Sequence, residues 1–331
     1  MIKCGVIGLG KIGIVRINAI EKNNNFILRK IYDLKIYIEN KRELHAETIE
    51  EMFESDLDVL FICAFNNVAA EYSIKAINKG IHVFCEKPPA RTIKELNLVK
   101  AALAKHPNVL LKYGFNHRSH YSVIEAKKII DSGKLGKLLW IRGVYGKAGS
   151  LDYHKNWRNF KNISGGGILI DQGIHMIDLM FYLSGQKFNV QHSLVSTLFW
   201  DIESEDNVFA LLKSEDNVIA SMHSSATQWR HKFLLEMCYE NGYINLDGIL
   251  SETRSYAPET IRYGKREFED ITHAMGKPQE TVIWFENDHS WEIEVNDFAD
   301  AIISKTKIKS GNIIDAMNAL QCVEDIYNYG K

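Results

Sequence analysis

Short apolar runs alternate with amphipathic stretches along the first third of the chain. The apolar runs are typical of buried strands, and the stretches between them have helical spacing. Predicted strands are Cys4–Ile7, Ile27–Tyr32, Val59–Cys63, His82–Cys85 and Val109–Tyr113. Predicted helices are Ile12–Lys22, Thr48–Phe53, Ala69–Lys79 and Ile93–Lys105. This alternation predicts an α/β domain of the Rossmann type, with a parallel sheet and helices on both faces.

The pattern changes near residue 119, where longer strand-like runs replace the alternation. Two stretches have helical spacing, Tyr121–Ser132 and Ile168–Leu183. The strand-like runs are Val190–Trp200, Asn207–Lys213, Val218–Ser225, Phe233–Tyr239 and Tyr243–Leu246. The last two are joined through Asn241-Gly242, a pair that favours a hairpin turn. We therefore predict an α+β second domain with a large, mostly antiparallel open sheet.

A chain of 331 residues is long enough for about two domains of roughly 150 residues each. We predict a dinucleotide-binding domain at 1–118 and a substrate-binding and oligomerisation domain at 119–331. The stretch 313–327 has the pattern of an amphipathic helix, and we consider that this helix could pack back on the first domain.

The composition of the chain limits the classes of function that it can have. The 40 basic and 42 acidic residues give a net charge of -2, so the chain has no overall positive field for nucleic acid or an anionic membrane. No apolar run reaches transmembrane length, and the first residues lack the apolar region of a secretory signal. The five cysteines form no CxxC pair, which favours reduced thiols in the cytoplasm.

The motif Gly8-Leu9-Gly10-Lys11-Ile12-Gly13 follows the first predicted strand and opens the first predicted helix. In that context the three glycines suit a dinucleotide. Gly8 permits the tight turn, Gly10 lets the backbone approach the pyrophosphate, and Gly13 allows close helix–strand packing. The helix N-terminus supplies free N–H groups for the phosphates. We predict cofactor contacts along this motif, including Lys11 and Ile12.

Asp33 ends the second predicted strand, at the spacing expected of the residue that binds the ribose. Its carboxylate can accept from both ribose hydroxyls and would repel a 2'-phosphate. We therefore expect NAD, with NADP disfavoured, although Lys30 and Lys35 lie nearby and weaken that preference.

The chain resembles the Gfo/Idh/MocA oxidoreductases, typified by glucose-fructose oxidoreductase and inositol dehydrogenase. The resemblance covers nearly the whole chain and is carried by several motifs in order. They are Gly8–Gly13, Ala64-Phe65-Asn66, Glu86-Lys87-Pro88, Gly114-Phe115-Asn116-His117-Arg118, and Gly165-Gly166-Gly167 leading to Asp171-Gln172-Gly173-Ile174-His175. The family's broad antiparallel sheet often forms an interface, which implies a homodimer or a homotetramer.

The resemblance also implies roles for individual residues. Lys87 is similar to the family's catalytic lysine, and its peptide bond to Pro88 is expected to be cis. Asp171 and His175 correspond to the acid/base pair. Asn66 and Glu86 correspond to cofactor contacts near the nicotinamide. The chain departs from the family at Ala64-Phe65-Asn66, where relatives often have Thr-Pro-Asn, and at Ala69, where a histidine is common.

Oxidation of a secondary alcohol needs a base for the hydroxyl proton and a donor to steady the developing alkoxide. His175 suits the first role because imidazole titrates near neutral pH. Lys87 suits the second as a cation, or could itself be the base if its surroundings lower its pKa. Asp171 lies four residues before His175 on a predicted apolar helix and could orient the imidazole. Which of Lys87 and His175 is the base stays open.

Further polar and aromatic residues are candidates for substrate binding. Trp157 suits the face of a sugar ring, and Arg158 suits a carboxylate or phosphate. Asn116, His117 and Arg118 follow a strand at the sheet edge where α/β proteins bind ligands. For these residues a purely structural role is about as plausible. We expect no metal, because no third ligand stands at metal spacing beside Asp171 and His175.

The best interpretation is an NAD-dependent dehydrogenase or ketoreductase for a sugar, cyclitol or nucleotide-sugar. Two alternatives stay open on the same fold. One is an NAD-dependent glycosidase that oxidises, eliminates and reduces back, so that it makes no net NADH. The other is a regulator that senses NAD without catalysis, which the presence of Lys87, Asp171 and His175 disfavours.

Overall fold

A computed structural model describes residues 1–251 and 253–329. The chain forms two compact units. The first comprises 1–116, 162–165 and 290–320, and the second comprises 117–161, 166–251, 253–289 and 321–329. The sequence-based division differs in one large piece, because it assigned 290–320 to the second domain. Phe298 explains the difference: it packs edge-on against Phe61 and Phe84 in the core of the first unit.

Strands and helices are numbered in chain order. The strands are β1 (Ile2–Ile7), β2 (Phe26–Tyr32), β3 (Val59–Ile62), β4 (His82–Glu86), β5 (Leu111–Gly114), β6 (Leu138–Gly146), β7 (Phe188–Ser196), β8 (Asn207–Ser214), β9 (Ile219–Ser225), β10 (Lys232–Tyr239), β11 (Gly242–Asp247), β12 (Glu259–Lys265) and β13 (Glu280–Phe285). The helices are α1 (Lys11–Glu21), α2 (Ile49–Glu54), α3 (Asn66–Asn78), α4 (Ile93–Lys105), α5 (Tyr121–Asp131), α6 (Lys161–Ser164), α7 (Ile174–Ser184), α8 (Ser290–Ile303) and α9 (Ile313–Tyr329).

The first unit has the predicted parallel sheet, in the order β2-β1-β3-β4-β5. All four residues of β3 are buried, and the sequence of this strand is therefore a continuous apolar run. α2 and α4 each begin after a threonine, Thr48 and Thr92, whose side chain accepts from the third residue of the helix. The Rossmann-type prediction is confirmed, and α8 joins this unit by packing beside α1.

The second unit is built on an eight-stranded sheet in the order β13-β12-β11-β10-β6-β9-β8-β7. The pairs are antiparallel except β6 with β9, which are parallel. This confirms the prediction of a large, mostly antiparallel sheet. β6, β12 and β13 were not predicted from the sequence. Arg142 and Gly143 interrupt the apolar residues of β6, and Arg262 and Gly264 interrupt those of β12, whereas β13 has no such interruption and was simply missed.

The predicted hairpin exists, but its glycine has a different role. β10 and β11 pair with Tyr239 opposite Gly242, so the turn is Glu240-Asn241 and the glycine already belongs to the strand. A Cβ on Gly242 would lie 2.3 Å from the carbonyl oxygen of Gly264. The glycine is therefore needed for the close approach of β12 rather than for the turn.

The predicted helix 168–183 is not uniform. Leu169–Gly173 form one π-helical turn before α7 begins at Ile174. Such turns widen the backbone locally and occur often at functional sites. α7 is buried almost all round, as its apolar sequence predicts. Within the described residues, no helix combines the length and the apolar character needed to cross a membrane.

Candidate functional site

The glycine-rich turn of the first unit has the geometry that a dinucleotide requires. Gly8 has a φ of +90°, which a residue with a side chain rarely adopts. A Cβ on Gly13 would lie 1.9 Å from the Gly8 carbonyl oxygen, whereas a Cβ on Gly10 would meet nothing within 4 Å. The space beside Gly10 is open at the N-terminus of α1, where Gly10 caps the helix without a side-chain hydrogen bond. This cradle suits a pyrophosphate.

Asp33 lies beside this turn, just after β2. One carboxylate oxygen accepts from the backbone N–H of Leu9 at 2.8 Å, and the other accepts from Lys35 and Ile36 at 2.8 and 3.0 Å. These bonds fix an anion next to the glycine turn. Lys30, which weakened the NAD assignment, pairs instead with Glu51 at 2.5 Å. The residues of the turn therefore fit NAD.

Lys87 follows β4 at the carboxyl edge of the parallel sheet, and it is half-buried. Its peptide bond to Pro88 is cis, as the family resemblance implied. Such an edge is where open α/β sheets bind ligands. Lys87 thus lies at the same edge of the sheet as the glycine turn, which follows β1.

Glu86, which we expected to contact the cofactor, has a buried partner. Arg16 of α1 donates to its Oε1 from Nε at 3.0 Å and from Nη2 at 2.6 Å. The same Nη2 donates to Glu294 of α8 at 2.9 Å. The fully buried guanidinium lies over the Phe84 ring at 4.2 Å. This cluster holds the backbone just before Lys87 against α1 and α8.

Two further candidates of the first unit also take part in internal hydrogen bonds. The Nδ2 of Asn66, the first residue of α3, donates to the Ser164 carbonyl at 2.8 Å. The Nδ2 of Asn116 donates to the Ser290 hydroxyl at 3.2 Å. Both side chains are buried. Their predicted contacts with cofactor and substrate stay predictions.

Asp171 lies in the π-helical turn of the second unit, between two cations. One oxygen accepts from Lys147 Nζ at 2.8 Å and the other from Arg158 Nε at 3.0 Å. The Arg158 guanidinium also stacks on the Trp157 ring at 4.5 Å. Arg158 therefore lies beside Asp171, and Trp157 lies beside Arg158, while their roles in substrate binding stay predictions. The charge of Arg158 is partly balanced there by Asp171.

His175 is buried on α7 and stacks face to face on His117, with ring centroids 3.7 Å apart. His117 Nε2 is 3.0 Å from the hydroxyl oxygen of Tyr145 on β6. Burial, first of all, together with Tyr256 and Asp171 raises the pKa of Tyr145, so it stays a neutral phenol. The second unit thus holds a stacked pair of imidazoles with a phenol hydroxyl at its His117 end.

Arg118 forms a buried ion pair with Asp178 of α7, with Nε and Nη2 donating at 2.8 and 2.6 Å. This bidentate pair ties the segment after β5 to α7. The neighbouring His120 lies 2.8 Å from Glu259, which also accepts from the backbone of Ser122 and Leu250. His117 directly precedes Arg118, so the ion pair to α7 helps to hold the His117 ring against His175.

The three glycines at 165–167 are required by packing. A Cβ on Gly165 would lie 2.8 Å from the Arg91 backbone, and one on Gly167 would lie 2.1 Å from the Glu205 carbonyl oxygen. Glu205 in turn accepts from the N–H groups of Gly167 and Leu169 at 2.9 and 3.0 Å. The glycine run therefore allows close contact within the protein at the entry to the π-helical turn.

The sequence analysis missed Lys147, Tyr145 and Tyr256. Lys147 directly follows β6, a strand that was not predicted, and Tyr145 is the penultimate residue of that strand. Tyr256 packs edge-on against Tyr145, with centroids 5.3 Å apart, and its hydroxyl accepts from Gln172 at 3.0 Å. Lys147 could not be recognised as a partner of Asp171 from the sequence, because β6 had not been predicted. In the described residues no three His, Cys, Asp or Glu side chains converge as for a metal.

Comparison with known proteins agrees with both units. Residues 2–115 match the model of the "Oxidoreductase family, NAD-binding Rossmann fold", and residues 123–245 match the "GFO/IDH/MocA C-terminal domain". The chain therefore belongs to the Gfo/Idh/MocA family, and its first unit is that family's NAD-binding domain. The resemblance predicted from the sequence motifs is confirmed.

Individual relatives are sugar dehydrogenases by name. The chain is 37% identical to levoglucosan dehydrogenase of Pseudarthrobacter phenanthrenivorans over 146 residues, 44% of this chain and 37% of the relative. It is 30% identical to glucose-6-phosphate 3-dehydrogenase of Bacillus subtilis over 197 residues, 57% of this chain and 55% of the relative. The matches thus span about half or less of these relatives. A levoglucosan dehydrogenase solved with NADH has the same fold, with a TM-score of 0.86 at 21% identity over 99% of this chain and 96% of that one.

Proposed function

We propose that the chain is an NAD-dependent oxidoreductase that transfers a hydride between nicotinamide and a secondary alcohol or ketone of a sugar, cyclitol or nucleotide-sugar. The observation that carries the proposal is His175, a buried imidazole stacked on His117 beside Tyr145. The chain combines this proton acceptor with an NAD-binding domain, which is the pair of functions that alcohol oxidation needs. Relatives named for levoglucosan and glucose 6-phosphate support a sugar substrate.

In the proposed reaction the substrate C–H bond breaks with its electron pair, the O–H bond breaks to release a proton, and a C=O double bond forms. NAD, when bound, accepts the hydride. His175 accepts the hydroxyl proton, and Lys87 donates a hydrogen bond to the oxygen as negative charge develops on it. Asp171 holds Lys147 and Arg158 in place and offsets one of their two positive charges.

A substrate screen tests this function. The protein with NAD is incubated with polyols, hexoses, hexose phosphates, uronic acids and UDP-sugars, and NADH is followed by its absorbance. We expect net NADH with at least one class. Consumption of a glycoside with release of free sugar and no net NADH would instead assign the glycosidase chemistry of the same fold.

We further propose that the chain forms a homodimer or homotetramer through the open face of the eight-stranded sheet. Several exposed apolar side chains lie on the same face of this sheet. Each is directly opposite another of them on the neighbouring strand, or lies two residues from such a position. They are Trp140, Leu194, Phe209, Leu211 and Ile219. A contiguous apolar patch of this kind marks an interface. Light scattering should give a multiple of the 37.9 kDa chain mass, and Phe209→Lys should yield monomers.

A cytoplasmic location is the last part of the proposal. Its support is the state of the cysteines, all free: Cys4, Cys85 and Cys322 are buried, and burial raises the pKa of each thiol. Such thiols act as small apolar core residues, which is typical of proteins in a reducing compartment.

A further inference from the structure

Three aromatic rings form an exposed cluster on the second unit, which we call the aromatic platform: Phe199, Trp200 and Trp229. Phe199 is 62% and Trp229 61% exposed. The centroid of Phe199 lies 5.0 Å from each of the two indoles, and the indoles lie 6.3 Å apart. Leaving this much aromatic surface in water is unfavourable, so the cluster needs an explanation beyond folding.

The platform is held in place rather than loosely attached. The buried Asp206 accepts from three successive backbone N–H groups, those of Leu198, Phe199 and Trp200, at 2.7, 2.9 and 2.9 Å. The Trp200 indole donates to the Ala226 carbonyl at 2.8 Å, and Gly149 packs against the same ring. A rigid, exposed set of rings loses little conformational entropy when a ligand covers it.

The platform is continuous with the Asp171 cluster through direct contacts. Trp200 packs against the buried Tyr153 with centroids 5.0 Å apart, and Lys147 Nζ lies 5.5 Å from the centre of the Tyr153 ring. Lys147 then donates to Asp171 at 2.8 Å. Two side chains, Tyr153 and Lys147, therefore connect the platform to Asp171.

We infer that the aromatic platform is a subsite for a second pyranose ring, so that the substrate is a glycoside or oligosaccharide rather than a free monosaccharide. The inference rests on the proposed sugar-oxidoreductase function and names its substrate class. The axial C–H groups of a pyranose carry partial positive charge and fit the electron-rich face of an indole or phenyl ring. The hydroxyl edges of the same sugar stay in water or meet nearby polar groups.

Charge favours a sugar over the base and phosphates of a nucleotide. The exposed charged residues that follow the platform residues are Asp201 and Glu203 after Trp200 and Arg230 after Trp229, two carboxylates against one cation. A diphosphate beside them would be repelled, whereas an uncharged ring would not. A second copy of this chain is the other possible occupant, and the experiment distinguishes it.

Saturation-transfer NMR on the full chain tests the subsite without turnover. The probes are maltose, cellobiose and lactose, with glucose and UDP as comparisons. We expect at least one disaccharide to bind about tenfold more tightly than glucose, with saturation reaching both rings. Phe199→Ala and Trp229→Ala should remove this preference, and Trp229→Tyr, which keeps a stacking face, should largely restore it.

Phe268→Ala is the matched control, because Phe268 is 56% exposed in the same unit and lies outside the platform. It should leave the disaccharide preference unchanged. The inference is overturned if no disaccharide binds better than glucose, if UDP is the probe that depends on Trp229, or if the platform variants change the oligomeric mass instead of sugar binding. If the platform binds disaccharides but no sugar yields NADH, the subsite stands and the proposed reaction fails.

Discussion

Glu294 offers a test of the buried cluster behind Lys87. It shares Arg16 with Glu86, which takes two of the guanidinium's hydrogen bonds while Glu294 takes one. Burial, only partly offset by Arg16 and Lys112, raises the pKa of Glu294 from 4.5 to about 7. The folded protein therefore holds a proton on this carboxyl at pH values where the unfolded chain has released it.

The sign of the effect on stability follows from this difference. Between about pH 4.5 and 7 the folded state binds more protons than the unfolded state, so the free energy of unfolding falls as the pH rises. The slope is at most about 1.4 kcal/mol per pH unit for one proton. Glu294→Gln mimics the protonated carboxyl and can still accept from Arg16. Its stability should equal that of the parent at about pH 4, below the unfolded pKa, and exceed it by on the order of 3 kcal/mol at pH 8.

The assay is urea unfolding at several pH values, followed by circular dichroism at fixed ionic strength. Glu43→Gln serves as the control, because Glu43 is an exposed carboxylate in the same unit. Its stability should differ from that of the parent by the same small amount at every pH. If Glu294→Gln is less stable than the parent at pH 8, or if the difference does not change with pH, the carboxyl is ionised in the fold and the reasoning is wrong.

Three further predictions concern the site residues. Gly10→Ala should unfold at the same temperature as the parent, because its Cβ has space, yet it should bind NADH about tenfold or more weakly. Gly13→Ala should be destabilised, because its Cβ would lie 1.9 Å from the Gly8 carbonyl oxygen. Calorimetry measures the stability of each variant, and NADH fluorescence measures its cofactor binding. Asp33→Ala should narrow the preference for NADH over NADPH, and tighter binding of NADPH by the parent protein would contradict the role of this anion. Asp171→Asn should lower kcat by less than about a hundredfold, and a loss larger than that of His175→Ala would place Asp171 in proton transfer itself.

The first unit was predictable because each of its strands is a short apolar run followed by a helix. The glycine turn and Asp33 could be placed from spacing alone, since both lie at fixed distances from β1 and β2. α8 could not be assigned to this unit, because nothing local in residues 290–303 shows that Phe298 belongs with Phe61 and Phe84. Such long-range packing is a property of the folded core.

The candidate site of the second unit was predictable only in part. His175 and Asp171 stood out as polar residues in an apolar helix, but their partners come from distant segments. Lys147 follows the unrecognised strand β6, and His117 lies in the segment after β5. The π-helical turn at Asp171 also has no sequence signal as clear as a cap or a proline. Pairings set by sheet register therefore had to come from the structure.

The aromatic platform illustrates the same limit. Phe199 and Trp200 were assigned to a predicted strand ending at residue 200, whereas β7 ends at Ser196. The strand stops because Asp206 takes the N–H groups of the following residues, which are then lost to the sheet. A competing carboxylate ten residues beyond the strand end is not visible in a periodic pattern.

Isotope transfer tests the central claim most directly. A sugar that gives NADH in the screen is prepared with deuterium on the carbon that is oxidised, and the reduced cofactor is analysed by mass spectrometry. We predict that the deuterium appears in NADH with the parent protein, and that Lys87→Ala and His175→Ala each lower the rate of its appearance at least about a hundredfold with NAD affinity little changed. The account would be contradicted if both variants transferred deuterium to NADH at the parent's rate. It would also be contradicted if the parent formed NADH that carried no deuterium.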